Sequence, residues 1–275
     1  MQAGRLLTLS FLTAVLPGIA AADDDVFYER YGQPFEVAQS NTTTQQQRGT
    51  LQAQPALTPE TQHWSIALGG LYTERQGEAA GWAPNAEVNY SPTDRLQLHA
   101  MLPYAFDRLS GGPTHWGIGD FETGVRYRFV DDDPNGWTPA IAAYPLVDFP
   151  TGDKNRNLGT GSTHAFLPLW FSKSFGSWTP FAGGGYWINP GTNNKNWTLF
   201  SAGVVKTVND TLSLTGEIFN ATSSKIGIPD QTGIDFGARV NFNANNHFVL
   251  TLGTGIVNAR ETDRFTGLAA YVYTF

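Results

Sequence analysis

Asp120, Glu122, Arg126 and Arg128 recur at even spacing, and Phe121, Thr123, Val125, Tyr127 and Phe129 fill the positions between them. On an extended chain successive side chains point to opposite faces, so the charges share one face and the apolar groups the other. A charged strand face can line a water-filled path and select ions, or it can fill a narrow interior with paired charges. The same split returns where Asp235, Gly237, Arg239 and Asn241 alternate with Ile234, Phe236, Ala238, Val240 and Phe242. Alternation in the other strand candidates assigns Glu87, Arg95, His99 and Glu217 to the inward face as well. Glu87, Arg95, His99, Asp120, Glu122, Arg126, Arg128, Glu217, Asp235 and Arg239 are therefore the candidate lumen residues.

Covalent chemistry has thinner support. The nearest nucleophile and base are Ser162 and His164 in GSTHAF, two positions apart on one strand face. A catalytic pair needs a third group to orient the base, and the spacing specifies none. Neither a Gly-x-Ser-x-Gly elbow nor a His-Glu-x-x-His zinc motif occurs. Asp131, Asp132 and Asp133 gather oxygen ligands, yet they lack the alternate spacing and terminal Glu of a calcium loop. With no Cys, thiol nucleophiles and thiolate metal sites are excluded. No cofactor and no metal are expected. The formal charge of -7, without a basic cluster, argues against nucleic acid as a partner.

The elements that must position these residues are short strands. Residues 1–22 carry Arg5, an apolar run from Leu6 to Leu16, then Pro17, Gly18 and the small residues Ala20 to Ala22. That order reads as a secretory signal cleaved after Ala22, because the run of about 11 residues falls short of the about 20 a spanning helix needs. Residues 23–62 are polar and rich in Gln and Thr, without a sustained period. They read as a periplasmic arm, irregular or folded into a barrel mouth as a plug through Phe27, Tyr28, Tyr31 and Phe35.

From residue 63 to 275 the alternation predicts about twelve strands, including single strands over 116–130 and 138–149. Turns after even-numbered strands, such as 92–94 and 209–210, are compact and rich in Asn, Asp, Gly or Pro, whereas most after odd-numbered strands are longer. Alternating short and long connections are the mark of an outer-membrane barrel with both termini on the periplasmic side. The last strand ends in Tyr271, Tyr273 and Phe275 on one face, which resembles the terminal signal read by barrel-assembly machinery. The predicted fold is an all-β transmembrane antiparallel barrel in the bacterial outer membrane, with lipids and that machinery as partners.

Three stretches resemble a known family. They are GIGDFETGVRYRF at 117–129, PAIAAYPLVDFPTGDKNRNLGTG at 139–161 and FSKSFGSWTPFAGGGYW at 171–187. Together they look like the phenol-degradation pathway (MetA-pathway) outer-membrane transporter family, whose layout extends over most of 64–275. The resemblance implies a barrel concerned with passage of small hydrophobic or aromatic compounds. The rival classes are a barrel-borne lipid hydrolase and a closed structural barrel.

Overall fold

The computed structural model describes Ala56 and residues 62–275. The signal at 1–22 lies outside the described residues, as does the arm over 23–62 apart from Ala56 and Gln62, so Phe27, Tyr28, Tyr31 and Phe35 are not among them.

Among the described residues fourteen β segments follow one another: β1 (His63–Arg75), β2 (Glu78–Ser91), β3 (Leu96–Arg108), β4 (Thr114–Ile118), β5 (Phe121–Val130), β6 (Ala140–Ala143) and β7 (Leu146–Phe149). The second half comprises β8 (His164–Ser172), β9 (Trp178–Ile188), β10 (Trp197–Thr207), β11 (Leu212–Ala221), β12 (Gln231–Asn241), β13 (Asn246–Val257) and β14 (Phe265–Thr274). Neighbours pair antiparallel, and β1 joins β14 from Ser65 opposite Thr274 to Glu74 opposite Phe265. Closure leaves no unpaired edge to template aggregation.

The fourteen segments make twelve staves, because β4 and β5 lie end to end against β3, and β6 and β7 lie end to end between β5 and β8. The sequence pattern predicts each of these two staves as one strand. Proline explains the interruptions: Pro103, Pro145 and Pro168 accept from Gly119, Val125 and Tyr144 through their carbonyls but have no N–H to return.

The connections sort onto two ends. One end carries 92–95, 131–139, 173–177, 208–211 and 242–245; the other carries 109–113, 150–163, 189–196, 222–230 and 258–264. The long-loop end has one exception, the tight turn at Gln76 and Gly77, where both residues adopt positive φ. Loop 150–163 is held down by a 3₁₀ turn (Lys154–Arg156) capped by Asp153, and loop 258–264 by a short helix, α1 (Ala259–Thr262).

Polarity is inverted relative to a water-soluble sheet protein. Leu68, Leu102, Tyr127, Phe200, Ile218 and Phe236 point outward and are exposed, while Glu87, His99, Glu122, Arg126, Asp235 and Arg239 are buried. Large contiguous apolar surface is rare on a protein surrounded by water. An outward apolar band around a polar interior is what a barrel in lipid requires.

Candidate functional site: the barrel interior

Charged and polar groups gather on the inner faces of β2, β3 and β5. Asn89 donates from Nδ2 to Glu87 Oε1 at 2.7 Å, and its Oδ1 lies 3.0 Å from His99 Nδ1. On the other side of the ring, His99 Nε2 lies 3.2 Å from Glu122 Oε1. Glu87 Oε1 is also 3.6 Å from Nδ1, so the imidazole is clamped between two carboxylates contributed by different staves. Arg126 sits over the Tyr144 ring at 4.5 Å, a cation–π contact that fixes the guanidinium inside the wall.

A second polar group lies on β10 to β13. Ser201 donates to Glu217, and Glu217 stands opposite Asp235 in the β11–β12 ladder. Arg239 donates to Asn241 Oδ1 at 2.8 Å, and His247 Nδ1 lies 2.9 Å from the same oxygen. Neither carboxylate oxygen of Asp235 has a hydrogen-bond partner among the described residues.

Between these polar groups the inner wall is aromatic. Phe166 stacks on Trp187 with centroids 4.8 Å apart, and Trp187 on Trp197 at 5.5 Å. Trp170, Phe181, Leu199 and Phe219 continue the same buried cluster. The indole N–H groups of Trp170, Trp187 and Trp197 are buried without a hydrogen-bond partner among the described residues. Ala56 belongs to this cluster and is fully buried.

Seven of the sequence-predicted residues therefore have buried side chains on the inner face: Glu87, His99, Glu122, Arg126, Glu217, Asp235 and Arg239. Asp120 is also buried but serves a loop, accepting from Gly152 N–H at 2.8 Å and from Thr160 N–H at 2.7 Å. Arg95 and Arg128 stand at the short-turn rim, where both meet Asp131. The Arg95 side chain is 43% exposed, because it precedes β3 in the turn rather than lying within the strand. Tyr271, Tyr273 and Phe275 all face outward, and Phe275 exchanges two 3.0 Å backbone hydrogen bonds with Trp64.

The catalytic and metal candidates also have definite surroundings. Ser162 Oγ lies 3.2 Å from His164 Nε2, so the spacing does bring the pair together. The hydroxyl nevertheless donates to the Pro190 carbonyl at 2.9 Å, which directs its proton away from the imidazole. Asp131 is engaged by arginines, Asp132 accepts from Lys173 at 2.6 Å and Asp133 from Asn135 N–H at 3.0 Å. No group of three or more His, Cys, Asp or Glu side chains among the described residues could hold a metal ion.

Alternation alone did not find Asn89, Tyr144, Trp170, Trp187 and Trp197. The signal for Trp187 was present: it shares a face with Thr179, Phe181, Gly183 and Gly185. Because Trp178, Tyr186 and Ile188 on the opposite face are equally apolar, polarity could not tell inside from outside there.

No protein-family model matches the sequence, and no curated protein matches it either. Among solved structures, an outer membrane channel from Pseudomonas putida F1 superposes with a TM-score of 0.69 at 16% identity, covering 82% of this chain and 100% of that one. The NanC porin gives 0.54 at 8% identity, over 76% of this chain and 98% of its own. The KdgM porin gives 0.54 at 7% identity, over 77% and 99%. At such identities the likeness concerns the fold, and that fold is the outer-membrane antiparallel β-barrel.

Proposed function

We propose that the chain is an outer-membrane channel for passive passage of small hydrophobic or aromatic molecules, with the short-turn end in the periplasm. The observation that carries this reading is the Phe166–Trp187–Trp197 stack inside a closed barrel, with indole N–H donors that have no partner among the described residues. Flat aromatic faces favour offset stacking with a planar solute, and an unpaired donor meets a solute oxygen that has left water. The polar sector around His99 adjoins this wall at Tyr144, whose ring lies edge-on to the imidazole with centroids 6.2 Å apart. The likeness of 117–129, 139–161 and 171–187 to the phenol-degradation transporter family agrees with this solute class. Localisation in the outer membrane follows from the outward apolar band, and the leader at 1–22 supplies the export route.

The test is uptake into proteoliposomes of benzoate and of a sugar of similar size. Benzoate should enter faster with the intact protein, and Trp187→Ala with Trp197→Ala should abolish that preference while leaving the barrel folded. An unchanged preference would remove the aromatic wall from the mechanism.

A second reading, a closed barrel, draws on Ala56, which occupies the same wall. On this reading the arm over 23–62 occludes the lumen. Deleting residues 23–61 would then raise conductance, whereas an open lumen would show no change.

A further inference from the structure

The outer wall carries a hollow at the seam of β14, β1 and β2. Four small outward residues make its floor: Gly70 on β1, Ala83 on β2, and Gly267 and Ala269 on β14. Leu250 and Leu252 of β13 wall one side. Above the floor, towards the long-loop end, Phe265, Tyr72, Phe106 and Trp116 form an aromatic row, with successive centroids 6.4, 6.2 and 4.8 Å apart. Tyr72 and Phe106 meet across β2 because Gly81 lies between them in the ladder and presents no side chain.

The hollow follows from the strand pairing. The β1–β2 register shifts between Gly69 and Leu71, and the β2–β3 register between Trp82 and Asn85. These irregularities fall side by side, so Gly70, Ala83 and Pro84 drop out of the ladder and the wall is indented. Its cavity of about 640 Å³ falls within the range of small-molecule sites.

In lipid, apolar surface alone selects no ligand, because every acyl chain is equally apolar. Selection needs a shape that must be filled and a charge at its end, since an unfilled indentation forfeits dispersion contacts. Arg108 is that charge. It is exposed at the last position of β3, lines the hollow with Thr114, and lies at the level of the aromatic row. Arg264 flanks the same rim, with its backbone N–H on the Glu74 carbonyl at 2.8 Å. Glu74, an acid of this rim, accepts from the Tyr72 hydroxyl at 3.1 Å.

We propose that this hollow is a lipid site, holding one acyl chain of a phosphorylated glycolipid of the outer leaflet with the phosphate at Arg108. The inference rests on the membrane reading and on the orientation given above. The aromatic row then lies at the headgroup boundary, where amphipathic rings gather. A phospholipid of the inner leaflet would have its headgroup at the opposite end of the barrel from Arg108.

Native mass spectrometry of the detergent-solubilised full barrel, titrated with diphosphorylated lipid A or with phosphatidylglycerol, tests the proposal. Lipid A should bind at one site and at least tenfold more tightly than phosphatidylglycerol. Gly267→Phe fills the floor; a Cβ there meets the Phe265 ring at 3.2 Å, a side chain able to move. Gly267→Phe and Arg108→Glu should each weaken lipid A binding at least tenfold, with heat-modifiable gel mobility unchanged. Equal binding of the two lipids, or undiminished binding in either folded variant, would overturn the site. A barrel that inserts into vesicles but retains no lipid A would overturn this inference alone. Failure to insert would instead overturn the membrane reading.

Discussion

Arginine placed on the outward face should cost stability according to depth, and the positions can be chosen from the wall itself. Leu102 lies at the centre of β3, points outward and is 43% exposed. Phe129 is equally outward at 45%, but stands next to the short-turn rim at the end of β5. Val125 lies between these depths and faces Leu98 across the β3–β5 pair. An arginine facing lipid costs about 2 to 4 kcal/mol at the midplane and about 0 to 1 near the interface. Leu102→Arg should therefore lose about 3 kcal/mol, which is over a hundredfold in the folding equilibrium. Val125→Arg should lose about 2 kcal/mol and Phe129→Arg under about 1. Reversible denaturant unfolding in lipid vesicles, followed by tryptophan fluorescence and gel mobility, gives the three values. All three positions being nearly neutral would mean that water surrounds this face, and a cost independent of depth would refute the bilayer geometry.

Other outcomes follow from the same structure. A tag inserted at Asn155, in the loop at the long-loop end, should be reached by antibody on intact cells, and one at Asn135 should not; equal access would overturn the orientation. Removing Phe275 deletes two backbone hydrogen bonds to Trp64 and one outward aromatic, so folding into vesicles should slow and stability should fall by about 1 to 3 kcal/mol. Unaltered folding kinetics would dismiss a role for the terminal residue. Arg126→Gln removes a buried cation held over the Tyr144 ring on the inner wall, so the cation-to-anion permeability ratio should rise several-fold, as read from reversal potentials. No change would place Arg126 off the conducting path.

How much of this was legible in the sequence depended on polarity contrast. Where charges alternate with aromatics, as in β5 and β12, facing could be read directly: Glu122, Arg126, Asp235 and Arg239 are inside, and Val125 and Phe236 outside. Contrast vanishes in β8 and β9, since Phe166, Trp170 and Trp187 face in while Leu167, Leu169 and Tyr186 face out. Both faces are apolar there for different reasons, one packing the interior and the other meeting the outside. Alternation also cannot tell where a stave stops, so it assigns Arg95 inward, whereas Arg95 sits in the turn on Asp131. The clamp on His99 was invisible for another reason. It joins Glu87, His99 and Glu122 from three staves, and only the β2–β3 and β3–β5 registers reveal that both carboxylates stand opposite Met101, the next inward position from His99.

Conductance in planar bilayers, with benzoate as a reversible blocker, bears most directly on the claim that a solute path runs through this barrel. The account predicts discrete current steps from the intact protein or from the form lacking residues 23–61, and benzoate should reduce them unless Trp187 and Trp197 are both replaced by alanine. Silence from both forms, after gel mobility has shown them folded, would contradict it.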